Sequence, residues 1–290
     1  MNNSMINSSV SMHSLQQKLD LVANNIANVN TTGYKRREAS FQDVLTSVKE
    51  QPKNFEKTGR LTPLGYGQGW GAKMVAAQLN LAQGSLQTTD NPLDTAIEGS
   101  GLFEISTNGQ DETGNATTTT RWTRNGAFEL SKSTDPADPR AFLTTKDGHY
   151  VMGADNQPIR IPEGRRVQIE ANGVIMAYND AQPAEAPVQA GQLKMVRVVR
   201  PQLLEQIGDN LYGLPGNITQ QQRDEILQTV TAANNAVDPI TVRQGFLEQS
   251  NVNLSDEMTE MLTVQRAFQL NSRAISSADQ MMNLANNLRA

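Results

Sequence analysis

The residues that could carry chemistry are few, and their spacing does not suit it. Cysteine is absent, which removes disulfides, thiolate nucleophiles and Cys-ligated zinc. The two histidines, His13 and His149, have no ligand spacing between them. His13 falls in a helical pattern, where a surface imidazole is expected. Asp90 and Asp94 could serve as paired carboxylates for acid–base work. They flank Asn91-Pro92-Leu93, however, and turns favour Asp for its backbone hydrogen bonds. Asp256, Glu257 and Glu260 read as the acidic start of a helix, not as a metal cluster. The Gly65–Gly69 and Gly99–Gly101 stretches lack phosphate-loop and dinucleotide spacing, and no G-x-S-x-G, HExxH, kinase or EF-hand pattern occurs. Lys35-Arg36-Arg37 is the densest basic cluster on a chain of net charge −5. It reads as a solvated loop, too small a footprint for nucleic acid or an anionic membrane surface. No catalytic, cofactor-binding or metal residue is assigned, no cofactor is expected, and the reading is of a non-enzyme.

The elements around these residues carry the stronger signal. Met5, Met12, Leu15, Leu19, Val22, Ile26 and Val29 follow a 3-4 alternation, which predicts a long helix with a heptad seam. That helix should stop near Asn30-Thr31-Thr32-Gly33. Near the other end, Ala267, Ala274, Met281 and Leu288 recur every seven residues, and Leu270, Ser277 and Leu284 repeat three residues later. Asn253 or Ser255 can cap this second helix, with Asp256 and Glu257 in its first turn. The two ends echo each other, Ala23-Asn24-Asn25-Ile26 against Ala285-Asn286-Asn287-Leu288. Asn is a poor interior helix former, so these amides are expected to meet partner chains in an assembly.

Between the helices the pattern changes. Leu102–Ser106, Ala127–Leu130, Val167–Ile169, Val174–Met176 and Lys194–Val198 alternate as strands. Asn108-Gly109, Asn125-Gly126, Asp147-Gly148 and Asn172-Gly173 read as turns, and the NATTTT tract from Asn115 as a surface loop. The fold class is therefore α+β: N- and C-terminal helices that pair as a coiled coil, and a central all-β domain. The expected divisions are an N-terminal helix over 1–40, a Gly-containing extended linker over 41–82, the β-rich domain over 83–217, and a return segment with the C-terminal helix over 218–290. At 290 residues and 37% hydrophobic content, the chain can bury a core but only a modest one. The first residues lack a leader's basic and apolar regions, and no apolar run is long enough to span a bilayer.

Several long motifs carry a resemblance. LQQKLDLVANNIANVNTTGYKR, Leu15 to Arg36, resembles the N-terminal signature of bacterial flagellar rod and hook proteins. QGFLEQSNVNLSDEMTEMLTVQRAFQLNSRAISSADQMM, Gln244 to Met282, is similar to their C-terminal signature. QGSLQTTDNPLDTAIEGSGLFEI (Gln83 to Ile105), WTRNGAF (Trp122 to Phe128), DGHYVMG (Asp147 to Gly153) and the DNLYGLPG segment near Leu211 continue the likeness, which looks closest to the distal-rod type. Departures lie at 111–120 and 133–140. The resemblance implies a basal-body subunit, at the distal rod or the rod–hook junction. It would leave the cell through the flagellar type III export apparatus without leader cleavage, polymerise into a helical tube with neighbouring rod and hook subunits, and transmit torque to the hook. The assembly seam would then be Met12, Leu15, Leu19, Val22, Ile26, Val29, Ala267, Leu270, Ala274, Met281, Leu284 and Leu288. Rival readings are a hook or hook-associated axial subunit, a non-flagellar coiled-coil adaptor, and a soluble β-rich enzyme with helical oligomerisation arms.

Overall fold

A computed structural model describes residues 2–43, 47–49, 66–68, 72–110, 116–132, 140–179, 185–208, 210–216, 218–231, 235 and 239–288. The chain forms two compact units. One comprises Met1–Ala27, Arg37–Gln78 and Asn253–Ala290; the other comprises Asn28–Arg36 and Leu79–Val252.

The first unit is built on two long helices, α1 (Asn2–Ala27) and α3 (Leu254–Asn287). Asn253 caps α3: its side-chain oxygen accepts from the Ser255 amide at 3.0 Å, in the N-cap geometry that satisfies one orphan donor of the first turn. The helices run antiparallel, since Asn25 meets Glu257 while Lys18 meets Glu260. A two-stranded sheet pairs Arg37–Asp43 with Ala72–Leu79, and a shorter antiparallel pair joins Ser47–Lys49 to Tyr66–Gln68. Of the Gly-containing linker read over 41–82, residues 44–46, 50–65 and 69–71 lie outside the described residues.

The second unit is β-rich. Its central strand, Gly101–Gln110, pairs with Ala116–Thr123 from Phe103↔Thr123 to Gln110↔Ala116, and also with Tyr150–Val151 and Met195–Val198. It is buried on both faces: Phe103 and Ile105 enter one core with Phe128, Leu143, Ile161 and Ile240, while Leu102 enters a second with Trp122, Val196, Tyr212 and Leu227. That explains the near-continuous apolar run at its start. A short helix, α2 (Gln220–Ile226), opens on a Thr219–Gln222 capping box and places Arg223 over the Trp122 ring, 5.4 Å from its centroid.

The five expected strands are present, and Gly148 and Gly173, both at φ +82°, make the turns read from Asp147-Gly148 and Asn172-Gly173. Two local readings are corrected. Asn108-Gly109 is not a turn but the strand's far end, facing Thr118 and Thr117. The NATTTT tract is not a loop either: Ala116–Thr123 is a strand, because consecutive β-branched threonines favour extended backbone more than their polarity favours a loop. The connecting residues 111–115 and most of the second insert, 133–139, lie outside the described residues. Asp90 and Asp94 sit as the turn reading requires, with the Asp94 amide donating to the Asn91 carbonyl.

An edge strand, Arg166–Ile169, is covered by one side chain. The Gln244 amide accepts from the Ile169 N–H at 3.1 Å and donates to the carbonyls of Val167 (2.9 Å) and Pro92 (2.6 Å).

Candidate functional site

The α1–α3 contact mixes polar and apolar groups. Glu257 (0% exposed), Val264 and Ala278 form its buried column on α3, seven and then fourteen residues apart. From α1 come Ser14, Val22 and Asn25, all buried. Asn25 is the joint of this unit: its amide pairs with the Arg37 backbone in both directions, at 3.0 and 3.1 Å, and donates to the Glu257 carboxylate at 3.2 Å. The expectation that such amides wait for a partner chain therefore fails for Asn25, which is satisfied within its own chain. Glu257 likewise does more than charge a helix end. Lys18 pairs with Glu260 at 2.6 Å and lies 5.5 Å from the Phe41 ring centroid.

The apolar columns read in the sequence lie elsewhere on these helices. Val22 is buried, whereas Met12, Leu15, Leu19, Ile26, Val29 and Ala267 are half-buried. Leu270, Ala274, Met281, Leu284 and Leu288 are exposed, Leu270 and Leu284 by 64% and 63% and Leu288 by 89%. The reason is angular. At 100° per residue, the Leu270 column lies about 120° round α3 from the Val264 column that meets α1. Leu254, Met258 and Leu262 add further exposed apolar surface on the same helix. A groove of about 410 Å³ between the helices is lined by Ser11, Leu15, Lys18, Phe41, Val264 and Ala267, among others.

The β-rich unit holds a buried ion cluster that the sequence reading missed. Lys35, placed there in a solvated loop, is 1% exposed. Its ammonium meets Glu248 at 2.7 Å and donates to the Ala82 carbonyl at 2.9 Å. The second Glu248 oxygen takes the Arg124 Nε at 2.5 Å. Arg124, also fully buried, donates onward to the carbonyls of Ile97, Gly99 and Gly101. Burial, and then the Arg124 charge, push Lys35 down to about 8 against the opposing pull of Glu248. Two cations and one anion thus share a dry site. The signal was present: Lys35 lies in NTTGYKR, Arg124 in WTRNGAF and Glu248 in QGFLEQS, three motifs far apart in the chain.

The backbone packs tightly around this cluster. The Gly33 N–H donates to the Glu248 carbonyl, the Gly84 N–H to its carboxylate, and Asn251 receives the Arg36 amide while donating to Asn80 and Ala82. Gly33 has φ +71°, and a Cβ there would lie 2.6 Å from the Asn125 nitrogen; one on Gly84 would lie 2.1 Å from the Gln249 oxygen. Among the described residues no cluster of side chains suited to a metal ion occurs, and no helix is long and apolar enough to cross a membrane.

Two long helices whose contact includes buried polar groups and whose α3 leaves large apolar side chains exposed, in a chain that also carries a β-rich unit, fit a protein that associates. Comparison with known proteins specifies which. Residues 11–35 match the family described as "Flagella basal body rod protein", residues 96–177 the "Flagellar hook protein FlgE/F/G D1 domain", and residues 243–288 the "Flagellar basal body rod FlgEFG protein C-terminal". The chain is 31% identical to the flagellar basal-body rod protein FlgG of Borreliella burgdorferi, over 96% of this chain and 95% of the relative. It is 33% identical to the flagellar hook-basal body complex protein FlhP of Bacillus subtilis, over 99% of both chains. With the FlgG of Bacillus subtilis it shares 32% identity over 96% of both. The chain belongs to the flagellar basal-body rod and hook protein family.

Proposed function

We infer that this chain is a structural subunit of the flagellar basal-body rod, acting by assembly and not by catalysis. The observation that carries the reading is its match, over nearly its whole length, to proteins named as rod subunits. The uncovered α3 column supports it physically. Large apolar side chains at one angular position on a long helix gain most when a second copy covers them.

In the finer reading, the distal rod or the rod–hook junction is its position, and neighbouring rod and hook subunits are its partners. The column Leu270–Ser277–Leu284, with Ala267, Ala274, Met281 and Leu288 beside it, packs in coiled-coil fashion against terminal helices of adjacent copies, whose Met12, Leu15, Leu19, Ile26 and Val29 are half-covered in the single chain. Such a contact joins two different surfaces and does not close on itself, so it generates a helical tube able to carry torque to the hook. Export through the flagellar type III apparatus belongs to the same reading. Immunogold labelling of purified hook-basal bodies tests it: label along the distal rod is expected, and label absent from the rod overturns it.

A further inference from the structure

The ion cluster brings together residues that the chain supplies at very different times. Lys35 and Arg124 precede Glu248 by 213 and 124 residues. Both cations are buried to 1–2% exposure, and Glu248 supplies the carboxylate that each of them meets. Before residue 248 is in place, forming the same site would put two cations into a dry interior with no counter-charge, a strongly unfavourable arrangement. Nor could the rest of the unit close around a neutral gap. Arg124 ties the carbonyls of Ile97, Gly99 and Gly101, which bracket the entry to the central strand. The C-terminal strands Thr241–Gln244 and Phe246–Glu248 supply partners for Thr95–Glu98 and Leu86–Thr88. Ile240 and Val242 complete the core that holds Phe103, Leu143 and Ile161.

We propose that Glu248 is a closure latch: the β-rich unit stays open until this carboxylate is seated between Lys35 and Arg124, so that the unit completes only once all of the chain except α3 is present. An N-terminus-first chain, whether emerging from a ribosome or threading a channel, then keeps its largest unit unfolded until nearly the end. Because the latch is a property of the single chain, it does not depend on what that chain assembles into.

The test is hydrogen exchange, read by mass spectrometry, on the dilute full-length chain and its Glu248→Gln variant. The latch requires protection to fall about tenfold or more not only at 33–36, 80–85 and 246–251 but also in the distant strands Gly101–Gln110, Arg140–Thr145 and Arg166–Ile169. Loss confined to the first three segments, with wild-type protection elsewhere, shows that the unit stands without its latch and overturns the proposal. The double variant Lys35→Met/Glu248→Gln covers the case in which the single variant fails to fold. Removing one of the two stranded cations must restore part of the lost protection. No restoration would mean that Glu248 acts through its contact with the Gly84 amide and not as a counter-charge, which also overturns the latch.

Discussion

The two units solve the burial problem in opposite ways. In the β-rich unit, Phe103, Ile105, Leu143 and Ile161 are at 0% exposure, and the buried cations Lys35 and Arg124 share the Glu248 carboxylate. In the helical unit the inside holds Ser14, Asn25 and Glu257 beside Val22, Val264 and Ala278, while Leu270, Leu284 and Leu288 stand in water. A polar contact between two helices fixes their register but adds little net stability. The β-rich unit covers its large apolar side chains, whereas the helical unit leaves Leu270, Leu284 and Leu288 uncovered. The contrast shows that a buried residue and an apolar residue need not be the same residue.

Four substitutions or conditions probe that contrast, in falling order of effect on the free chain. Glu248→Gln strands two buried cations and should cost about 3–5 kcal/mol, read as a lowered urea midpoint of the β-rich unit. Asn25→Ala should cost about 1–3 kcal/mol, because it leaves the buried Glu257 carboxylate and the Arg37 backbone without their shared partner. Its signature is faster exchange in α1 with the β-rich unit unchanged; equal loss in both units would erase the distinction between them. The third probe is pH. Lys35 binds its proton less tightly folded than unfolded, so between about pH 8 and 10.5 the unfolded chain carries more protons and this group's contribution to stability rises with pH. The difference in urea midpoint between wild type and Lys35→Met should therefore shift in favour of wild type across that window. Leu270→Asp comes last, within about 0.5 kcal/mol of wild type in the monomer because the side chain is already in water. On the proposed use of this column the same change should abolish rod assembly and swimming, since it places a carboxylate where copies would meet; motile cells with normal basal bodies would refute that use of the column.

Much of the architecture was legible because it follows from period and punctuation. The seven-residue spacing marked both long helices, the choice of Asn253 or Ser255 as cap marked the start of α3, and Gly148 and Gly173 marked two turns. Pairing was less legible. A heptad of Leu270, Ser277 and Leu284 says that something apolar will meet that column, but not whether it is the chain's own α1 or another copy. That Glu257 lies on the inner side goes with the Asn25 amide that meets it. The ion cluster was hidden for a different reason. Lys35 sits in a basic run that local rules assign to solvent, and its burial is set by a carboxylate 213 residues away. Threonines 117–120 misled because polarity and β-branching point in opposite directions, and the strand across from them decided the matter.

The Gln244 side chain has a consequence for growth. An exposed strand edge is a template on which any extended segment can add, and a protein stored at high local concentration risks fibres of the wrong kind. By occupying the Val167 carbonyl and the Ile169 N–H with its own amide, Gln244 denies that edge to incoming strands. One glutamine side chain thus closes one sheet edge to further strand pairing.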